Sequence, residues 1–301
     1  MQAVDPAGRL VAGRYRLRSL LGSGGMGRVW LAEDEVLDRL VAVKQFALDD
    51  QASDVTRKAA RVHALNEARA AARVDHVGAV QIHDVVKEDG CPWIVMEMLS
   101  GRTLAQALAA DGPLPIDQVT TIGLSLVDVL QATHRAGIVH RDVKPANVHL
   151  CDGGRVVLMD FGIARTIEDG STVSSGLLAG SPAYISPEQF RCGEVGPASD
   201  LFSLGATLFA AAEGNAPFDK GDLFATLTAV VVDTPGPFRR AGLLRPVIEG
   251  LLVKEPDQRL NADQARAALR ALHRERSMPR TGHRRFAQVA EPPTFELSVA
   301  C

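Results

Sequence analysis

The chain has 301 residues, with 33 Lys plus Arg against 36 Asp plus Glu and 46% apolar content. That supplies ample core material, enough for two ordinary domains or one large bilobal one. A net charge of -3 excludes a broad basic coat for nucleic acid, and the apolar fraction excludes a wholly disordered chain.

The opening stretch carries Asp5, Arg9, Arg14 and Arg16 with no long apolar run, so no secretory leader is expected. Residues 14–48 read as three strands, RYRLRSLLG, GRVWLAEDEV and RLVAVKQFA, separated by turn material. From about Asp54 to Val74 the pattern turns helical, with Val62, Leu65 and Ala68–Ala72. Two more strands follow, QIHDVVKE and CPWIVMEML, around the turn Asp89-Gly90. The expectation is a small first lobe of five strands and one main helix.

The rest is mainly helical. Val119, Ile122, Leu126, Val129, Leu130 and Thr133 share one helix face, entered near Pro115–Asp117 and stopped at Gly137. Further helices are expected over about 199–213, 221–232, 242–253 and 262–274, the last with Asn261 as N-cap. Residues 138–198 are dense in Gly, Pro, Ser and Asp and read as long structured loops, where chemistry usually sits. The apolar run Leu201–Ala212 is too short to span a bilayer, so no transmembrane segment is expected. Cys91, Cys151, Cys192 and Cys301 form no CxxC pair, which fits reduced thiols in a cytoplasmic setting. After Arg276 the pattern decays into a proline-containing tail, expected to be flexible.

Three clusters carry chemistry. LGSGGMGRV (Leu21, Gly22, Ser23, Gly24, Gly25, Met26, Gly27, Arg28, Val29) lies between two strands, and bare glycine backbone can approach phosphates closely. A dinucleotide fingerprint would run from strand into helix, whereas here a strand follows. Lys44 stands in the apolar strand VAVK, and Glu67 follows on the helix. They are either an edge-strand lysine and a surface glutamate, or a part-buried cation and its partner. The third cluster is HRDVKPAN (His140–Asn147), a short hairpin around Asp152–Gly154, then Asp160-Phe161-Gly162. Each Asp or Asn alone is an ordinary turn former, but the joint pattern is not.

Taken together, these motifs resemble the eukaryotic-type serine/threonine protein kinases, in their bacterial branch, over residues 12–273. The resemblance implies an α+β bilobal kinase fold: a β-rich first lobe of about 12–98 and a helical second lobe of about 100–273, with 274–301 as tail. It implies transfer of the γ-phosphate of ATP to Ser or Thr of protein substrates, with Mg²⁺. Gly22–Gly27 would cover the phosphates, Lys44 would bind them and Glu67 would hold Lys44. Asp142 would take the acceptor's proton, Lys144 would contact the γ-phosphate, and Asn147 and Asp160 would hold the metal. Val29 and Ala42 would roof the adenine. Met96 would lie beside it, with Glu97 and Leu99 offering backbone hydrogen bonds.

Gly180–Glu188 (GSPAYISPE) resembles the end of an activation loop, and Glu188 would pair with Arg259. Asp200 would brace the catalytic loop. Arg141 would receive a phosphate placed among Ser171, Thr172, Ser174 and Ser175, which implies self-association for autophosphorylation. His149 departs from the family, which usually has an apolar adenine floor there. Its ring stacks on adenine, or turns aside with Val148 or Leu150 filling the gap, and imidazole titrates near neutrality. Two other classes share this fold: a pseudokinase that binds without turnover, and a small-molecule phosphotransferase. Lys44, Asp142 and Asp160 speak against the first, Lys144 and GSPAYISPE against the second. The basic residues Arg274, Arg276, Arg280, Arg284 and Arg285 read as a solvated tail or as a patch that binds lipid or a partner. A chain ending at Cys301 reads as a stand-alone cytoplasmic kinase or a shortened one.

Overall fold

The computed structural model describes residues 8–24, 27–46, 62, 65–66, 68–88, 91–161, 182–191 and 193–277. The first lobe is a six-stranded antiparallel sheet: β1 (Leu10–Val11), β2 (Tyr15–Gly24), β3 (Gly27–Asp34), β4 (Arg39–Phe46), β5 (Ile82–Glu88) and β6 (Cys91–Glu97). The spatial order is β1-β2-β3-β4-β6-β5. The sixth strand beyond the expected five is β1, whose two residues are too few for alternation to register.

Register decides what the sheet offers each side. Val29 pairs with Lys44, Ala42 with Met96 and Lys44 with Ile94. Because side chains alternate, Val29, Ala42, Lys44, Ile94 and Met96 share one face. Trp30, Val41, Val43, Trp93 and Val95 take the other and pack with Val11, Tyr15 and Leu17 into a core of their own. Strand β4 lies between β3 and β6, so Lys44 is not an edge-strand residue.

Helix α1 is described over 68–73; most of the expected helix Asp54–Val74, Glu67 included, lies outside the described residues. Ala70, Ala71, Val74, Ala79 and Val80 belong to the core of the second lobe, not to that of the sheet. The chain then enters α2 (Leu104–Asp111), which sequence periodicity did not reveal. Thr103 accepts from the Gln106 N–H, while the Gln106 side chain accepts from the Thr103 N–H, two orphan donors satisfied at once. Helix α3 (Ile116–Arg135) buries the face its spacing predicts, from Val119 to Thr133.

The described residues within 138–198 are less loop-like than expected. A 3₁₀ turn, Pro145–Asn147, leads into a small sheet of β7 (Arg102–Thr103), β8 (Val148–Leu150) and β9 (Val156–Leu158). Strands β8 and β9 form the hairpin expected around Asp152–Gly154. A short α4 (Pro187–Phe190) follows. Helix α5 (Pro197–Glu213) is buried at every residue from Ser199 to Ala212, so the apolar run there is a core helix, hydrophobic all round. Helices α6 (Leu223–Val232), α7 (Arg245–Leu251) and α8 (Ala262–Ser277) close the lobe. The helix expected over 242–253 is split into a 3₁₀ turn and the shorter α7. Asn261 caps α8, its Oδ1 accepting from the Gln264 N–H at 3.0 Å, and α8 runs past 274. Among the described residues no helix is long and apolar enough to cross a membrane.

Candidate active site

The cleft face of the sheet meets the loop-rich part of the second lobe at Lys44 and Asp160. Lys44 is 4% exposed, and its Nζ lies 2.7 Å from Asp160 Oδ1. A buried ammonium requires such a partner. Asp160 has φ of 54°, a left-handed value uncommon outside glycine, and strain of this kind gathers at functional sites. Phe161 beside it is fully buried, its ring 4.9 Å from that of His140. Glu67, expected to hold Lys44, lies outside the described residues, as do Gly25, Met26 and Gly162.

Strands β2 and β3 carry the glycine-rich segment as a hairpin, with Gly24 opposite Gly27 and a register shift between Leu20 and Gly22. Strand follows strand, as expected of a phosphate-covering loop and not of a dinucleotide fold. Gly22–Gly24 are exposed, and Gly27 has φ of 134°, which only glycine adopts freely.

Below the cleft, Lys144 and Asn147 both donate to the Asp142 carboxylate. Lys144 Nζ reaches its Oδ2 at 2.7 Å, and Asn147 Nδ2 reaches Oδ2 at 2.9 Å and the Asp142 carbonyl at 2.8 Å. Both Asn147 bonds come from its amide nitrogen, which turns the amide oxygen toward other duty. That oxygen and the Asp160 carboxylate are hard donors of the kind Mg²⁺ prefers. No cluster of three or more His, Cys, Asp or Glu able to hold a metal occurs among the described residues. Two protein oxygens that leave the remaining positions to phosphate and water fit Mg²⁺ better than a cage-bound ion.

The loop is braced from behind. Asp200, fully buried, accepts from the His140 N–H at 2.8 Å and the Arg141 N–H at 2.7 Å, and its Oδ2 lies 2.7 Å from His134 Nε2. Gln189 Nε2 donates to the Arg141 carbonyl at 3.0 Å, and between these clamps Arg141 holds φ of 66°. His140 accepts the Asp142 N–H on Nδ1 at 3.3 Å, so its Nε2 carries the proton and faces the Met159 carbonyl at 3.1 Å. Burial pushes the His140 pKa below its ordinary value and keeps the ring neutral, despite Asp200 and Asp142 nearby.

Glu188 and Arg259 form the expected pair, a two-pronged contact at 2.7 and 3.1 Å, with Ser199 Oγ donating to Glu188 at 2.8 Å. Burial alone would raise the Glu188 carboxyl; the Arg259 fork, a backbone N–H and Ser199 together outweigh it and hold the pKa below the usual value.

At the back of the cleft, Met96 lines a small apolar cavity with Ala68, Ala71, Val80, Ile82 and Ile94, closed by Lys44, Asp160 and Phe161. Glu97 ends β6, and Leu99 is partly buried against the main core. His149 Nε2 lies 3.0 Å from the Ser100 carbonyl, so the ring is tied to the segment that joins the lobes. Sequence reading missed His134, Gln189, Ser199 and Arg155. The phosphorylation candidates Ser171, Thr172, Ser174 and Ser175, together with Ser181, lie outside the described residues.

Comparison with known proteins gives the family. A family model described as protein kinase domain matches residues 15–269. The serine/threonine-protein kinase PrkC of Bacillus subtilis is 34% identical over 249 residues, 82% of this chain and 38% of that protein. PknL of Mycobacterium tuberculosis is 38% identical over 213 residues, 69% of this chain and 51% of that protein. PknA of the same organism is 36% identical over 276 residues, 88% of this chain and 63% of that protein. The match thus spans between 38% and 63% of the length of these curated relatives. With the 15–269 match and relatives 34–38% identical, the chain belongs to the protein kinase domain family, in the eukaryotic-type branch found in bacteria.

Proposed function

We propose that this chain is an ATP- and Mg²⁺-dependent protein serine/threonine kinase, with its catalytic domain over residues 12–273. The observation that carries the reading is one constellation: Asp142 held by Lys144 and Asn147, with Lys44 on Asp160 across the cleft.

In this reading the acceptor hydroxyl oxygen bonds to the γ-phosphorus while the bond from that phosphorus to the β–γ bridging oxygen breaks. The hydroxyl proton passes to Asp142, whose carboxylate Lys144 and Asn147 keep oriented. Lys144 and Lys44 offset phosphate charge at the two ends of the transfer. Residues Leu21–Gly27 cover the phosphates, and Asn147 and Asp160 hold the Mg²⁺, which neutralises phosphate charge when bound. Val29 and Ala42 roof the adenine, Met96 lies beside it, and the Glu97 and Leu99 backbones hydrogen-bond to it. His149 forms the floor, and Glu67 is the ion-pair partner that fixes Lys44.

Protein substrates with Ser or Thr acceptors follow from the reading. So does pairing of two copies for autophosphorylation within residues 171–175, where a phosphate would dock on Arg141 and order the loop. The test is Asp142→Asn in the full chain. Transfer to itself or to a generic basic protein should fall by about 10²–10⁴-fold, the usual share of a positioned base, while ATP still binds. Wild-type chain that binds Mg·ATP and transfers nothing would make it a pseudokinase. Undiminished transfer by Asp142→Asn would remove the role of Asp142.

A further inference from the structure

The segment that joins the lobes, residues 97–103, is gripped along its length by the β8–β9 hairpin of the second lobe. Arg102 pairs with Leu150 and Thr103 with His149. His149 Nε2 lies 3.0 Å from the Ser100 carbonyl. At Gly101, φ is 95° and an added Cβ would stand 2.1 Å from the Leu150 carbonyl oxygen, so the two backbones touch.

The far end of the grip is Arg155. The hairpin turn closes with the Cys151 N–H donating to the Arg155 carbonyl and the Gly154 N–H to the Cys151 carbonyl, both at 2.9 Å. That turn delivers the Arg155 guanidinium to Glu97, whose Oε2 accepts from Nη2. The other oxygen of Glu97 accepts the Gln81 N–H at 3.0 Å, while the Glu97 N–H donates to the Gln81 carbonyl at 2.9 Å. Glu97 is thereby fixed by its own backbone, by the start of β5 and by an arginine from the opposite lobe. Its side chain is 15% exposed and that of Arg155 36% exposed. The pair is therefore partly shielded, and the Arg155 pKa is raised above its ordinary value, chiefly by its hydrogen bond to Glu97. Arg155 belongs to none of the phosphate, metal or acceptor clusters.

We propose that Arg155 is a nucleotide-positioning residue: through Glu97 it fixes the interlobe backbone that receives the adenine, and it sets affinity for the base without touching it. This rests on the reading of residues 96–99 as the adenine-binding segment. Backbone donors and acceptors discriminate a base only when held in register, and an ion pair between the lobes holds them before the nucleotide arrives.

The experiment titrates the full 301-residue chain with Mg·ADP and, separately, with Mg·tripolyphosphate, which has phosphates and no base. Wild type is compared with Arg155→Ala, Arg155→Lys, Glu97→Gln and the Arg155→Ala/Glu97→Gln double variant. Arg155→Ala should raise the ADP Kd about threefold, the scale of a partly exposed ion pair, and leave tripolyphosphate unchanged. KM for ATP should rise by the same factor, with kcat within about twofold. Arg155→Lys should recover part of the loss. The double variant should bind ADP no worse than Arg155→Ala alone, because the two side chains act as one unit. Wild-type ADP affinity in Arg155→Ala, an equal loss for tripolyphosphate, or additive losses in the double variant would each overturn the inference. Wild-type chain that binds tripolyphosphate but no ADP overturns the adenine reading and this inference with it.

Discussion

Lys44 is a buried cation at the cleft. An ammonium 4% exposed needs a negative partner, and Asp160 supplies one at 2.7 Å; in the proposed reading this cation faces the phosphates. Lys44→Met keeps the length and much of the volume of the side chain while deleting its charge. The fold should survive, the Kd for Mg·ATP should rise, and transfer should fall by at least about 10²-fold, the scale of one lost electrostatic contact to a transition state. Thermal melts with a phosphate-transfer assay check both halves; a variant retaining more than a tenth of wild-type activity would contradict the role. At this scale the sequence was informative where chemistry is concentrated in a short stretch. Asp142, Lys144 and Asn147 lie within six residues, and their contacts are local. It was silent on remote partners that lie outside the family's motifs. Arg155 meets Glu97 58 residues away, His134 meets Asp200 66 residues away, and Gln189 meets Arg141 48 residues away. One arginine among 27 reads as solvated surface until the fold supplies its carboxylate.

Single elements are held by a few contacts of high consequence, and the Glu188–Arg259 pair is the clearest. Arg259 is 5% exposed and donates to the carbonyls of Val253, Ala198 and Lys254 as well as to Glu188, tying the start of α4 to the start of α5 and the segment before α8. Arg259→Ala leaves the Glu188 charge buried without its fork, a loss of about 3–5 kcal/mol. Urea unfolding should show a lower midpoint at unchanged slope. Glu188→Gln/Arg259→Met should be less damaging than Arg259→Ala alone, since no charge is then stranded. If Arg259→Ala costs under about 1 kcal/mol, the pair is no stronger than a surface ion pair. Element legibility followed length. The long α3 was read from the periodicity of its buried face, and the β8–β9 hairpin from its turn, but β1 and β7 have two residues each, below what alternation can reveal. Helix α2 did leave a signal, the capping pair Thr103 and Gln106 three residues apart, which hydrophobic periodicity alone passes over.

For the molecule as a whole, buried titratable groups dictate how stability varies with pH. His140 is fully buried and kept neutral by burial, whereas the unfolded ring titrates at about 6.5. Below that pH the unfolded chain binds the extra proton, so stability falls as pH drops through about 6.5. Asp34, held at about 2 chiefly by the Arg14 fork at 2.7 Å, adds a second acid step. Its contribution is complete above the unfolded value of about 4 and is lost as pH falls toward 2. On the alkaline side Lys254 is pushed down to about 8, mainly by burial, with its ammonium 3.6 Å from the centre of the Phe218 ring. The unfolded lysine holds its proton to about 10.4, so between 8 and 10.4 the unfolded chain binds more protons and stability rises with pH. Tyr184, pushed up to about 12 by burial, and Tyr15, raised by burial and by its bond to Asp84, act in the opposite sense. Unfolded tyrosines ionise at about 10, so above that pH the folded chain holds more protons and stability falls again. The expected melting curve is low in acid, climbs to neutrality, rises again past pH 8 and turns down above 10. Lys254→Met should flatten the rise between 8 and 10, and His140→Tyr, neutral across the acid range, should flatten the slope between 5 and 6.5. A wild-type melting temperature constant from pH 5 to 7 would mean that the His140 ring gains no proton on unfolding, and the neutral-imidazole account of the catalytic loop would fall.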